Sequence, residues 1–142
     1  MLFKKLKPCP RTTFPVGAGG ALGTAVTTTI TGAVSLTSVT VAPSGNFIYI
    51  VDQDDVGPGT VYAYSLSGGT IGTTALNSQP TGIGPSGVAI DPTGKILTIN
   101  NNADDTISTY TIDSTGKLTP TTPATVAADT ATWWTTFLVT AQ

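Results

Sequence analysis

The sequence contains no histidine and no glutamate; its eight acidic residues are all aspartates, set against six lysines and arginines for a formal net charge of −2. General acid–base hydrolysis needs a group titrating near neutrality or a metal-bound water, and the two side chains that most often supply the first are missing. The only cysteine, Cys9, stands between Pro8 and Pro10. That excludes an internal disulfide and leaves a thiol with no histidine to activate it. Long hydrophobic runs are absent as well: none reaches the roughly 18 residues that a membrane span requires. At 142 residues the chain has room for one ordinary core.

Charge is unevenly placed. Lys4, Lys5, Lys7 and Arg11 lie at the start, and everything after them carries only Lys95 and Lys117 against all the aspartates. The body is therefore acidic, which argues against nucleic acid as a partner, since phosphate binding needs a basic face. The MLFKKLK start has the form of a secretory n-region, but the following PVGAGGALGTAV is glycine-rich and poorly apolar, so residues 1–10 are read as a basic arm. GAGGALG, residues 17–23, is no phosphate loop: no apolar strand precedes it and no helix or Lys-Ser/Thr pair follows.

What is abundant is threonine, about a fifth of the chain and well above ordinary usage. Together with Val, Ile and Tyr it favours pleated strands, and Gly, Pro, Asn and Asp punctuate them. The strands recur. APSGNFIYIV, residues 42–51, lies over DPTGKILTIN, residues 91–100, and matches Pro43 with Pro92, Gly45 with Gly94 and Ile50 with Ile99 at a spacing of 49. TVYAYSLSGGTI (60–71) then lies over TISTYTIDSTGKL (106–118), and GGALGTAV (19–26) over GGTIGTTA (68–75). Periods of this length belong to stacked or radial repeat folds.

Each full copy reads as four short strands. In the second they are SGVAID, KILTINN, TISTYTID and LTPTTPATV, with PTG and DSTG as turns. The last, interrupted by Pro120 and Pro123, can only be an edge. A meander with an apolar inner strand and a proline-blunted outer one suits a propeller blade. The expected fold class is all-β: propeller-type, four-stranded antiparallel blades in an incomplete ring. Residues 11–33 are assigned to the last strands of a preceding blade, 34–83 and 84–128 to two blades, and 129–142 to the first strand of a further one. A truncated reading frame, a subunit of a ring or filament, and a free-standing open module all accommodate this. Unpaired strand edges make the third least comfortable and lead to an expectation of self-association through those edges.

The run GPSGVAIDPTGKILTINNNADDTISTYTIDSTGKLTP resembles the repeat of the bacterial lactonase family, the propellers similar to 6-phosphogluconolactonase, and more distantly the YVTN-type surface propellers. Gly84, Pro85, Asp91, Pro92, Gly94, Asn101, Tyr110, Ile112, Asp113, Gly116 and Leu118 fit that pattern. The first copy departs from it, with Ala42 at the turn aspartate, Asp52 or Gln53 where asparagine is expected, and Leu36-Thr37 in place of Gly-Pro. The resemblance implies a seven-bladed parent and an extracytoplasmic or secreted setting. It also offers a second function, that of a piece of a lactone hydrolase.

The residues themselves favour a non-catalytic binding or assembly module, for which no ligand is named. Asp91 and Asp113 sit where turns need side-chain acceptors, so no catalytic residue is assigned. Asp52, Asp54 and Asp55 in one copy, and Asn102, Asp104 and Asp105 beside Asn100 and Asn101 in the other, are oxygen-rich enough to be weak calcium candidates. Neither group has the spacing of a calcium loop, so no metal and no cofactor is expected. Adjacent Trp133 and Trp134 point to opposite faces of a strand and are the candidate interaction residues, whereas Tyr49, Tyr62, Tyr64 and Tyr110 are read as structural.

Overall fold

The computed structural model describes residues 9–54 and 57–128. Its strands are β1 (Cys9–Thr13), β2 (Val26–Ile30), β3 (Ser35–Val41), β4 (Phe47–Gln53), β5 (Pro58–Ser67), β6 (Thr70–Ile71), β7 (Asn77–Ile83), β8 (Pro85–Ile90), β9 (Ile96–Asn101), β10 (Thr106–Ile112) and β11 (Leu118–Ala127), with one 3-10 turn at Ala18–Gly20. All pairings are antiparallel. Among the described residues β1 and β2 pair only with each other, β3-β4-β5-β7 form one sheet and β8-β9-β10-β11 the next. The chain is all-β, and its four-stranded sheets are blades of an arc that does not close.

The repeat seen in the sequence is reproduced pair by pair. Ile48 faces Tyr64 as Leu97 faces Tyr110, Ile50 faces Tyr62 as Ile99 faces Ser108, and Asp52 faces Thr60 as Asn101 faces Thr106. Even the irregularities recur: the β3–β4 ladder slips at Thr37 and the β8–β9 ladder at Ser86, 49 positions apart. An extra residue there twists the inner strand locally. β11 lies at the edge of its sheet, and its ladder with β10 skips from Pro120 to Thr125 opposite a single residue. Prolines cannot donate to a ladder, so the interruption falls where they cluster. The short β6 is an element the four-strand reading did not separate. Gly68 and Gly69 both take positive φ, 55° and 78°, which makes the tight turn that folds Thr70–Ile71 back onto β5.

Successive side chains of a strand point to opposite faces, so each sheet has two. Here the front face of the first sheet carries Ile48, Ile50, Tyr62 and Tyr64, and its back face carries Tyr49, Val51, Val61 and Ala63. That back face packs on the front face of the second sheet, Leu97, Ile99 and Tyr110, with Ala42 and Leu118 closing the cluster. A smaller cluster joins Ile48, Ile50 and Tyr64 to Ile30 and Ala33. Directed bonds fix the docking: the Tyr49 hydroxyl donates to the Gly116 carbonyl at 3.1 Å, Tyr110 to Pro80 at 2.5 Å and Thr37 to Pro85 at 2.9 Å. Asn77 both donates to and accepts from the Leu118 backbone, at 2.8 and 3.1 Å.

Candidate functional site

The β4–β5 and β9–β10 connections and the β7–β8 link gather the polar residues at one end of the two blades. In the first blade the buried Asp52 carboxylate accepts from the backbone amides of Val34, at 2.9 and 3.1 Å, and Ser35, at 2.6 Å. It thereby secures the start of β3 with charge-assisted bonds. In the second blade the corresponding residue is Asn101, fully buried, whose amide donates to the hydroxyls of Thr106 at 3.0 Å and Ser108 at 2.9 Å. A backbone amide is held instead by Asp104, which accepts from Ile83, the last residue of β7, at 2.9 Å and from the Thr106 hydroxyl at 2.7 Å. Asn100 donates to the Asn102 side-chain oxygen.

Two buried oxygens here, Asn101 Oδ1 and Thr98 Oγ1, have no hydrogen-bond partner among the described residues. A buried hydroxyl without a partner carries a desolvation cost that an isosteric methyl does not. Thr98→Val is therefore expected to leave stability unchanged or raise it by about 1 kcal/mol, measured by urea denaturation; a loss of similar size would show that the hydroxyl is engaged.

At the opposite end lie the tight turns. Asp91 accepts from the amides of Lys95 and Ile96, both at 2.7 Å, from the Thr93 amide at 3.1 Å and from the Thr93 hydroxyl. Burial pushes its carboxyl up, but the bonds from Thr93, Ile96 and Lys95 outweigh burial and hold it below the usual carboxylate range. Asp113 repeats the device, accepting from the Thr115 hydroxyl at 2.7 Å, the Thr115 amide at 2.8 Å and the Lys117 amide at 3.0 Å. Its carboxyl is likewise depressed, chiefly by Thr115 and Lys117. Both folded values lie below the unfolded one near 3.8, so the turns' contribution is present above that pH and disappears as pH falls through the folded values. The thermal midpoint should accordingly hold from neutrality to about pH 4 and drop below it. In Asp91→Asn that acid-side fall should be shallower. Beside this end Tyr49 is pushed up to about 12, by burial first and by Asp113 second. A cavity of about 380 Å³ lies between the two sets of turns, bordered by Phe47, Lys95 and Asp113.

A third feature lies on the outer side of the first blade. Arg11 of β1 is 7% exposed, stacks 4.2 Å above the Tyr64 ring and donates from Nη2 to the Gly72 carbonyl at 2.7 Å. Its Nε and Nη1 have no partner among the described residues. Burial draws its pKa down, against an opposing effect of Tyr64, and an arginine stays charged in such a setting. Beside it runs a groove of about 370 Å³.

The sequence-level candidates fall into separate places. Asp52 lies near the end of β4 and Asp54 in the connection that follows; Asn102, Asp104 and Asp105 lie in the second blade's β9–β10 connection, where Asp105 takes a positive φ of 50°. Among the described residues no three or more Asp, Cys or other acidic or imidazole ligands are grouped for a metal. The carboxylate oxygens of Asp52 and Asp104 serve backbone amides. Asp55, Trp133 and Trp134 lie outside the described residues. No helix of the described residues is long and apolar enough to cross a membrane. Sequence reasoning missed Arg11 as a buried group, having placed it with the basic start; the only available signal was its position one residue inside the first repeated segment.

The pairwise-repeated blades are matched at the level of sequence families. The model of the seven-bladed β-propeller lactonases matches residues 14–134. The chain belongs to the lactonase family. Its members' architecture accounts for the docking of back face on front face. Among solved structures, one assigned as a 6-phosphogluconolactonase of Bacteroides fragilis superposes with a TM-score of 0.70 at 24% identity, covering 85% of this chain and 34% of that one. A second, from Bacteroides uniformis, gives 0.66 at 23% identity, covering 84% and 34%. At that identity these structures speak to fold alone, and this lactonase-family chain spans about a third of their length. No curated protein matches the chain.

Proposed function

We propose that this lactonase-family segment is a non-catalytic binding and assembly module, engaging partners through strand edges and blade faces. One observation carries the reading: Asp52, Asp91, Asp104 and Asp113 all spend carboxylate oxygens on backbone amides. A general base must reach a substrate proton with a free lone pair near its working pKa; carboxylate oxygens engaged by amides are poor at the first, and those of Asp91 and Asp113, depressed by their turns, at the second as well. Among the described residues β1 pairs only with β2, and that edge supports the assembly part of the reading, because unpaired strand groups recruit other strands. The family match favours a second reading, in which the chain is a section of a lactone hydrolase similar to 6-phosphogluconolactonase and other blades supply the reacting groups. Incubating the purified chain with 6-phosphogluconolactone decides for this polypeptide. No hydrolysis above the buffer rate is expected; turnover that scales with protein concentration would overturn the first reading.

A further inference from the structure

Three turns meet at the end of the blades opposite Asp52, Asn101 and Asp104: the β3–β4 turn of the first blade and the β8–β9 and β10–β11 turns of the second. All three belong to the two complete blades. Between them lies the cavity of about 380 Å³, an open cleft whose apolar lining includes Phe47 and Ile112 and whose polar lining includes Asn46, Lys95, Asp113 and Ser114. The repeat does not dictate this chemistry. At the spacing of 49, Asn46 and Phe47 correspond to Lys95 and Ile96, and Ala42 to the turn-forming Asp91.

Phe47 is half-buried, packing on the core between the blades with one part and bordering the cleft with another. The second blade holds its ring in place. Gly116 is buried at a φ of 81°, and a Cβ there would run into the Phe47 ring, so only glycine lets the ring lie against that backbone. Gly116 is itself anchored: its carbonyl accepts from the Tyr49 hydroxyl at 3.1 Å and its amide donates to the Asp113 carbonyl at 3.0 Å. Asp113 accepts all its turn bonds at Oδ1, which leaves Oδ2 without a partner among the described residues. The exposed Asn46 engages only its backbone there, the amide donating to the Ser44 hydroxyl at 3.3 Å and the carbonyl accepting from Leu66. A clamped aromatic ring, a carboxylate oxygen, a side-chain amide and the Lys95 ammonium therefore border one open space.

We propose that this cleft binds a neutral saccharide, with the apolar C–H face of one hexopyranose ring on Phe47. The proposal rests on the binding half of the reading above and names the ligand class. A sugar ring combines an apolar face with a rim of hydroxyls that donate and accept. Asp113 Oδ2 would accept from one hydroxyl, the Asn46 amide would serve its neighbour as donor or acceptor, and Lys95 would donate to a third. One cation and one anion line the cleft, so its net charge favours no charged ligand, and each acts as a charge-assisted hydrogen-bond partner. The volume suits a small-molecule cleft, and the ring fixed by Gly116 lowers the cost of ordering the site on binding.

The test titrates the full chain, isotopically labelled for NMR, with the methyl glycosides of glucose, galactose, mannose and N-acetylglucosamine. At least one should give saturable amide shifts centred on Asn46, Lys95 and Ser114, with an affinity on the order of millimolar. Phe47→Leu, which keeps apolar bulk and removes the ring, should weaken binding about fivefold. Asn46→Ala, at an exposed position, should weaken it about as much, and it keeps the test decisive if Phe47→Leu does not fold. Val126→Ser on β11, which does not line the cleft, should leave binding unchanged. Circular dichroism establishes which variants fold. No saturation by any of the four glycosides at about 100 mM, shifts centred instead on Asn101 to Asp104, or wild-type affinity in either folded cleft variant overturns the proposal. Saturation by free alanine and by none of the glycosides gives the cleft to a zwitterion and overturns it too. Sedimentation of the ligand-free chain separates this from the reading above: self-association without glycoside binding removes the saccharide and leaves the assembly module, whereas a monomer that binds no glycoside removes both.

Discussion

Gly59→Val is expected to destroy the cooperative unfolding transition of the first blade, or to cost about 3 kcal/mol or more if a transition survives. Gly59 sits in β5 at the point where the β5–β7 ladder slips between Pro58 and Thr60. A Cβ built there meets the Asp52 carbonyl oxygen and the Pro85 ring closer than real Cβ atoms approach, and lies 2.8 Å from the Thr81 hydroxyl. The first obstacle is backbone, the second belongs to the neighbouring blade, and neither can rotate away. The contrast is Gly45, whose positive φ of 73° makes any side chain strained but whose surroundings are empty; Gly45→Ala should cost only about 1 kcal/mol. Urea denaturation of both variants measures the difference. Equal midpoints would mean that the blades do not approach at Gly59, and the docking described above would fail with them.

The repeat was legible because register follows from alternation and turn chemistry, both local. Asp91-Pro92-Thr93-Gly94 announces a turn: its aspartate accepts from the residues that follow, and Gly94 adopts φ 72°. Strand edges could be read the same way from Pro120 and Pro123. What could not be read is how a conserved-looking position changes partner. Asp52 and Asn101 stand in the same register, yet one holds backbone amides and the other two hydroxyls, because Asp104, in a loop of different length, takes over the amide of Ile83. A cluster of acids in a loop looks alike in sequence whether it waits for a cation or caps a strand; only the positions of amides 18 to 21 residues away decide. Arg11 was opaque for a similar reason. Its burial depends on Tyr64 and Gly72 from the next blade, and no local pattern carries that distance.

Ile99→Ala should cost about 3 kcal/mol, and the comparison that gives this number meaning is Val39→Ala. Ile99 is fully buried at the centre of the interface between the blades, where removing a branched side chain forfeits both transfer energy and packing that the rigid surroundings cannot recover. Val39 occupies the same face one strand and one repeat away, but is 59% exposed, so its truncation should fall within about 0.5 kcal/mol. Composition and strand propensity are alike at the two positions; what differs is whether another blade lies on top. Denaturation of the isolated chain therefore reads out, residue by residue, which faces are already occupied. If the two substitutions cost the same, the burial of Ile99 does not come from the neighbouring blade.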